Sequence, residues 1–550
     1  SFWSVKGWLE TRVKRQRLAW AAGALALLGA CSGEPPGGGF LPSTGQVNVT
    51  TPALGDLTAF AAARFLEQAS WGPTPQSVQE VQRLGMAGWI DQQLKTAPSI
   101  AVAPSYVIDY DDDNRAAKDK AWAYFPRTFY NFALGGDDQL RQRVSWSLYN
   151  FIVVGNTGFA YGKVEYFNTL QRGALGSFST LIRDVTLNPL MGAFLNNDQN
   201  RANQPNENYA RELMQLFTVG LVKLNPDGTV QRDNNGKPLE TYTQQDVIQA
   251  TKALSGWAYD YNPFLPRTNG SNYGKPMVAA NWNNAHDFSS KTLLGSSIPG
   301  GQSTAQDLDS LIAILVNHPN AAPFVSRRLI QNLVSSDPSP AYLERISKVF
   351  VASKGDLAQV VKAILLDPEA RAGDDPAQQI ARTGKIKEPI LMHTNYLRAL
   401  GCKYAVNDRY NSNGVLGAWT QNPYNAPNVF GYFSPGHLAP ESLTPAPEQK
   451  LLTTDEIRRR ASDISYRMQQ TSDFTSAGCE IDLFVNAAAT SDDALIALIN
   501  QRFFKGAMPA PLRLGARNLL SQDLAGQPPL RKFSDLLQIL LSTPTYGVVK

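Results

Sequence analysis

From Phe60 onward, apolar residues recur at three- and four-residue spacing in block after block, and short polar or Gly/Pro breaks separate the blocks. Phe60-Ala61-Ala62-Ala63-Arg64-Phe65-Leu66 sets the pattern. Gly72-Pro73-Thr74-Pro75 interrupts it, and Val78, Val81 and Leu84 resume it. This spacing belongs to helices that bury one face. It predicts further helices over 139–154, 164–187, 206–219, 244–256, 305–317, 321–335, 340–352, 356–366, 377–400, 453–469, 491–503, 511–521 and 531–542. Thr243-Gln244-Gln245-Asp246 reads as a capping box at one helix start, with Asp where Glu is usual.

Only one stretch alternates as a strand would. Leu221-Val222-Lys223-Leu224 leads into Asn225-Pro226-Asp227-Gly228, then Thr229-Val230-Gln231 and a second turn at Asn234-Asn235-Gly236. Short alternating runs between turn dipeptides predict a small β-hairpin. The expected fold is therefore mainly α: one large multi-helix domain with a small β-hairpin and long ordered loops. Two stretches, about 258–294 and 401–447, resist helical assignment. They are rich in Asn, Gly and Pro, and their aromatics (Tyr259, Tyr261, Tyr273, Trp282, Trp419, Tyr424, Phe430, Tyr432, Phe433) favour ordered packing over disorder.

The start of the chain has a different character. Residues 1–30 carry Lys6, Arg12, Lys14, Arg15 and Arg17, then a short apolar run ending Leu28-Gly29-Ala30-Cys31. A basic flank, a short apolar core and small residues before a cysteine are expected of a secretory signal and not of a membrane span. Leu-Gly-Ala-Cys resembles the bacterial lipoprotein box, which would make Cys31 the lipidated first residue of an exported protein. The other reading is an ordinary secretory peptide with a chance cysteine. Ser32, where an Asp would favour retention at the inner membrane, points to the outer membrane. Residues 31–56, with Glu34-Pro35-Pro36-Gly37-Gly38-Gly39, read as a flexible tether, and 57–550 as the folded domain.

Charge follows the same division. The chain has 51 Lys/Arg and 47 Asp/Glu, a formal +4, and the leader accounts for all of that excess. The remainder is neutral and has no long basic run, which argues against nucleic acid as a partner. With Cys31 assigned to lipid, Cys402 and Cys479 are either a disulfide or two buried thiols.

Several ordered motifs resemble the bacterial family called domain of unknown function 1800. They are Asn206-Glu207-Asn208-Tyr209-Ala210-Arg211-Glu212-Leu213 through Gly220, Tyr242 through Val247, Ser255-Gly256-Trp257, His286-Asp287 with Lys291 and Leu294-Gly295, Ala426-Pro427-Asn428-Val429-Phe430-Gly431, and Leu540 through Tyr546. The resemblance implies an exported bacterial protein, often encoded beside a secreted sulfatase-like protein that is a candidate partner. It implies no known reaction. Gln215 stands where the family is expected to have an acid.

The candidate chemistry gathers in these motifs. Glu207 and Arg211 are four apart and share a helix face, either as a structural ion pair or, with Asn206, at the mouth of a cleft. His286-Asp287 is the sharpest polar pair, with histidine as a potential base and carboxylate as its orienter, against the commoner case of a loop histidine satisfied by backbone. Glu207, Arg211, His286 and Asp287 are thus the candidate catalytic residues, and Asn206, Trp257, Trp282, Lys291 and His437 the candidate binding residues. His318 reads as a helix cap and His393 as a core residue.

Zincin, Cys-x-x-Cys, nucleophile-elbow and phosphate-loop patterns are missing. Asp109-Tyr110-Asp111-Asp112-Asp113-Asn114 lacks the glycine and final glutamate of a calcium loop. No metal site is assigned, and no cofactor is identified. Aromatics among amides suit an extracellular polymer such as polysaccharide. A glycosidase would need Glu207 and Asp287 facing each other within roughly 12 Å. The competing expectation is a non-catalytic surface scaffold for the sulfatase-like partner.

Overall fold

The computed structural model describes residues 57–549 apart from 109–113, 156, 158, 262–271, 379–383, 406–420, 441 and 469–470. The leader, Cys31, the tether, the acidic loop and Trp419 lie outside the described residues. Helix makes up 57% of the described residues and their strands pair only two at a time, so the architecture is mainly α. One continuous apolar core runs from Ala62 to Tyr546. No helix of the described residues is long and apolar enough to cross a membrane.

Helices α1 (Ala59–Ala69) and α2 (Pro75–Lys95) are separated at the expected Gly72-Pro73 break, and Thr74 caps the second with its hydroxyl. The long α3 (Arg115–Gly135) has no counterpart in the sequence expectation. Pro126 sits inside it and interrupts the reading, yet Ala121, Phe125, Phe129 and Ala133 form its buried stripe. α4 is Gln139–Tyr149. The helix expected over 164–187 is two, α5 (Ala160–Gly173) and α6 (Phe178–Leu187), because Gly173 and Gly176 open a turn between them. A short α7 (Pro189–Leu195) follows.

The motif helix begins as α8 (Asn208–Glu212) and continues as a wider π turn over Leu213–Thr218. Beyond it the expected hairpin is a three-segment meander. Lys223 N–H donates to Leu239 O (2.8 Å), Gln231 N–H to Lys223 O (2.8 Å) and Leu239 N–H to Gln231 O (3.0 Å). Asn320 fastens it to the next helices, its amide donating to Val219 O and Val222 O and its oxygen accepting from Leu224 N–H.

α9 (Gln244–Ala253) starts at the Thr243–Asp246 capping box. Four short strands follow, β1 (Trp257–Ala258) with β2 (Val278–Ala279) and β3 (Lys291–Leu293) with β4 (Ser296–Ile298), both antiparallel. α10 (Thr304–Val316), α11 (Ala321–Leu333), α12 (Pro340–Ala352) and α13 (Leu357–Leu366) lie close to expectation. The helix expected over 377–400 is shorter. Lys385–Ile386 forms β5, paired with β6 at Val548–Val549, and α14 starts only at Pro389 and ends at Ala399. Pro389 suits the first helical turn and bars a longer helix through it.

The C-terminal helices include α15 (Thr454–Met468), α16 (Ile481–Thr490), α17 (Asp492–Phe503), α18 (Ala510–Asn518) and α19 (Pro529–Leu541). Cys402, just past α14, is disulfide-bonded to Cys479, just before α16. The second long loop is drawn into the core by its aromatics. Tyr424 stacks on Tyr149 at 4.1 Å, and the Tyr149 hydroxyl accepts from Ala426 N–H at 3.1 Å.

Candidate functional site

The motif residues converge around α9. On its N-terminal side, Glu207 accepts from Arg211 (2.9 Å) and from the Gln244 amide (2.8 Å), while Arg211 also donates to Gln244 Oε1 (3.0 Å). The i, i+4 pair is therefore a closed three-residue ring that ties α8 to the first residue of α9. Asn206 lies just before it. Its backbone N–H donates to Asn200 Oδ1 and its side chain accepts from Asn208 N–H, so it caps the turn.

Asp246 does two jobs at the same end. One oxygen accepts from Thr243 N–H and the other from Leu294 N–H, both at 2.7 Å. Burial works to raise its pKa, but these hydrogen bonds outweigh it and hold the carboxyl below its usual range.

At the other end of α9, His286 is buried. Its Nδ1 lies 2.8 Å from Ser255 O and its Nε2 3.1 Å from Asp307 Oδ2. Both partners are acceptors, so both bonds form only when each ring nitrogen carries a hydrogen. Lys291 Nζ donates to the same Asp307 oxygen and to Asp287 O, with Lys291 and Asp307 wholly inaccessible. Lys291, expected to bind ligand, is thus internal: its ammonium closes a buried ion pair.

Asp287 does not orient His286. Its oxygens turn outward to Ser289 N–H (2.8 Å), the Ser289 hydroxyl and, at 3.8 Å, Lys252. Partial burial would raise its pKa, and the Ser289 hydrogen bonds together with the two lysines lower it on balance, which keeps it ionised.

Glu207 and Asp287 engage different partners along α9. Glu207 engages Gln244 and Asp287 engages Lys252, eight positions further along α9, about 12 Å by helical rise. They share no partner. His437 lies in the other loop, where its backbone bonds to Ser434 and Ala446.

Three groups carry this site without having drawn attention in the sequence. Asn200 is its hub: the amide donates to Thr251 O, the side-chain oxygen accepts from Asn206, and the carbonyl accepts from Gly256 N–H. Asp307 is the second. It shares the α10 face of Leu311 and Leu315, and an acid in that apolar stripe was the available signal. Arg201 is the third, its guanidinium 5.3 Å from the Trp282 ring.

Trp257 is buried and Trp282 is 43% exposed, so the two candidate tryptophans differ in role. Alongside, both amide atoms of Asn197, Oδ1 of Asp198 and the Trp257 indole N–H have no hydrogen-bond partner among the described residues. The other Asp198 oxygen accepts from Tyr259 OH at 2.9 Å, and burial raises that carboxyl above its usual pKa despite this bond.

What faces outward is a platform, Arg201 over Trp282, beside a turn from Asn196 to Asn208 that is dense in side-chain amides. What faces inward is a set of joints between elements, with Asp307 Oδ1 left without a partner among the described residues. No curated protein and no solved structure shows significant similarity to the chain. The model of the family described as "Protein of unknown function (DUF1800)" matches residues 64–548, and the chain belongs to that family.

Proposed function

We propose that this protein is an exported lipoprotein, held in the outer membrane through Cys31, that binds an extracellular polymer such as polysaccharide. The half-exposed Trp282 beside the amide-rich turn is the observation that carries this reading. Aromatic faces offer flat apolar area to sugar rings, and amides pair with hydroxyls. Binding is favoured over cleavage because the two carboxylates a glycosidase would use engage opposite ends of α9. The Cys402–Cys479 bond suits an oxidising compartment, in keeping with export.

The test is retention of the lipid-free chain on insoluble polysaccharides, including peptidoglycan and cellulose. Trp282→Ala is expected to weaken retention at least about tenfold, or roughly 1.4 kcal/mol. Equal retention of the variant, or no retention of the wild type, removes the polymer reading. A second reading draws on Phe288, which is 60% exposed on the same loop and suits a protein partner such as the sulfatase-like neighbour. Capture of that protein, lost in Phe288→Ala but kept in Trp282→Ala, would favour the scaffold.

A further inference from the structure

A cleft of about 520 Å³ opens between the start of α2 and the turn that joins α3 to α4, and none of the motif residues around α9 lines it. Its volume falls in the range of about 300–1,000 Å³ that small-ligand sites occupy. The floor is buried and held still by its own hydrogen bonds. Gln93 donates to Asp137 O (3.0 Å) and accepts from Leu140 N–H (3.1 Å). Gln139 donates to Gly136 O (2.8 Å) and accepts from Trp71 N–H (3.3 Å).

Arg398 of α14 completes the floor and is 5% exposed. Its Nε donates to Gly72 O (2.7 Å), and its Nη1 to Ala133 O (3.1 Å) and Leu134 O (2.9 Å). Three neutral carbonyls thus fix the guanidinium plane and supply no counter-charge. Nη2 has no bond among the described residues, yet it is not sealed in the interior, so its two hydrogens are left for an acceptor in the cleft. A carboxylate is the acceptor that a guanidinium holds best.

The rim narrows the ligand. It carries Glu80, Arg83 and Asp137, with the exposed amides of Gln76 and Gln79. Two cations and two carboxylates therefore line the cleft, so a simple anion is drawn by one pair and repelled by the other. A ligand with a carboxylate and a positive group suits both. The aromatic in the wall, Trp89, is 2% exposed and presents no ring face on which a sugar could stack, whereas the glutamine amides match peptide groups. We propose that this cleft binds a short zwitterionic peptide, its C-terminal carboxylate on Arg398 and its ammonium toward Glu80 and Asp137. The site is independent of the Trp282 platform.

Calorimetric titration of the full chain with trialanine tests this. The free acid is expected to bind at least about tenfold more tightly than its C-terminal amide, and several-fold more tightly than its N-acetyl form. Glu80→Gln/Asp137→Asn is expected to bring the free acid down to the level of the N-acetyl form, and Arg398→Gln to abolish binding. No binding of trialanine to the wild type, an amide that binds as well as the acid, or an unchanged affinity in the rim variant overturns the proposal. So does tighter binding of trigalacturonate, which would make the cleft a site for acidic sugars. Should Arg398→Gln not fold, the acid and amide on the wild type, together with the rim variant, still decide.

Discussion

Removing the Asp307 carboxylate is the most direct perturbation of the joint that holds the His286 loop. Asp307 and Lys291 are both wholly buried, and Asp307 also receives His286. Asp307→Ala strands an ammonium and an imidazole in the interior, and breaking one side of such a pair costs about 3–5 kcal/mol. The apolar double variant Asp307→Leu/Lys291→Met removes both charges, and such replacements are close to neutral in comparable cases. The loss should be local, because the pair ties β3 and the 282–291 loop to α10 and not the molecule as a whole.

Hydrogen exchange of the β3 amides and of Asp287 N–H is the suitable assay. Tenfold faster exchange corresponds to about 1.4 kcal/mol, so Asp307→Ala should speed it roughly a hundred- to several-thousand-fold. The double variant should recover most of that. A change below tenfold in the single variant, or a double variant as labile as the single, would refute the claim that the pair closes the loop.

Three other outcomes follow from the same geometry. Glu67 on α1 lies 2.8 Å from both Lys387 and Lys505; burial raises its pKa, yet the two cations bring it down to about 2 from an unfolded 4.5. Its contribution is present above pH 4.5 and lost as pH falls from there toward 2, at most about 3 kcal/mol, and less because burial pulls Lys387 the opposite way. Glu67→Gln should therefore flatten the acid limb of a melting-temperature profile. Reducing Cys402–Cys479, which closes 77 residues, should cost up to about 4 kcal/mol, read as a lower melting temperature in reductant. Gly256→Ala places a Cβ 3.0 Å from Ala285 C and from His286 at φ +90°, and should lower the melting temperature and perturb His286 resonances in NMR spectra.

The helical scaffold was legible where period and caps agreed. Pro340–Ala352 and Asp492–Phe503 lie at or within one residue of the spans that their apolar stripes mark. It was illegible where local chemistry and tertiary context conflict. Pro126 masks α3, and Lys385–Ile386 looks helical until Val548–Val549 arrives to pair with it from the far end of the chain. The site was legible as a place more than as a set of roles. Glu207, Arg211, Trp257, His286 and Lys291 gather round one helix, but the partner that explains Lys291 is Asp307, sixteen residues on. Nothing in the spacing of charges along a chain shows which of them will share a dry interior.

That distinction bears on what the motifs are for. Glu207–Arg211–Gln244 locks α8 to α9, Asp246 locks α9 to β3, and Asn200 joins the α9 end to the amide turn. Lys291–Asp307–His286 locks the loop to α10. These joints are mostly closed within the protein, although Asp307 Oδ1 is buried without a partner among the described residues and both bonds to Glu207 fall on its Oε2. Residues held in this way are well suited to fix the outline of a surface. Among the described residues, the exposed groups that these joints do not use are Trp282, Arg201 and the amides of Gln199, Asn203 and Gln204, and a fixed outline around them is what the proposed polymer binding would need.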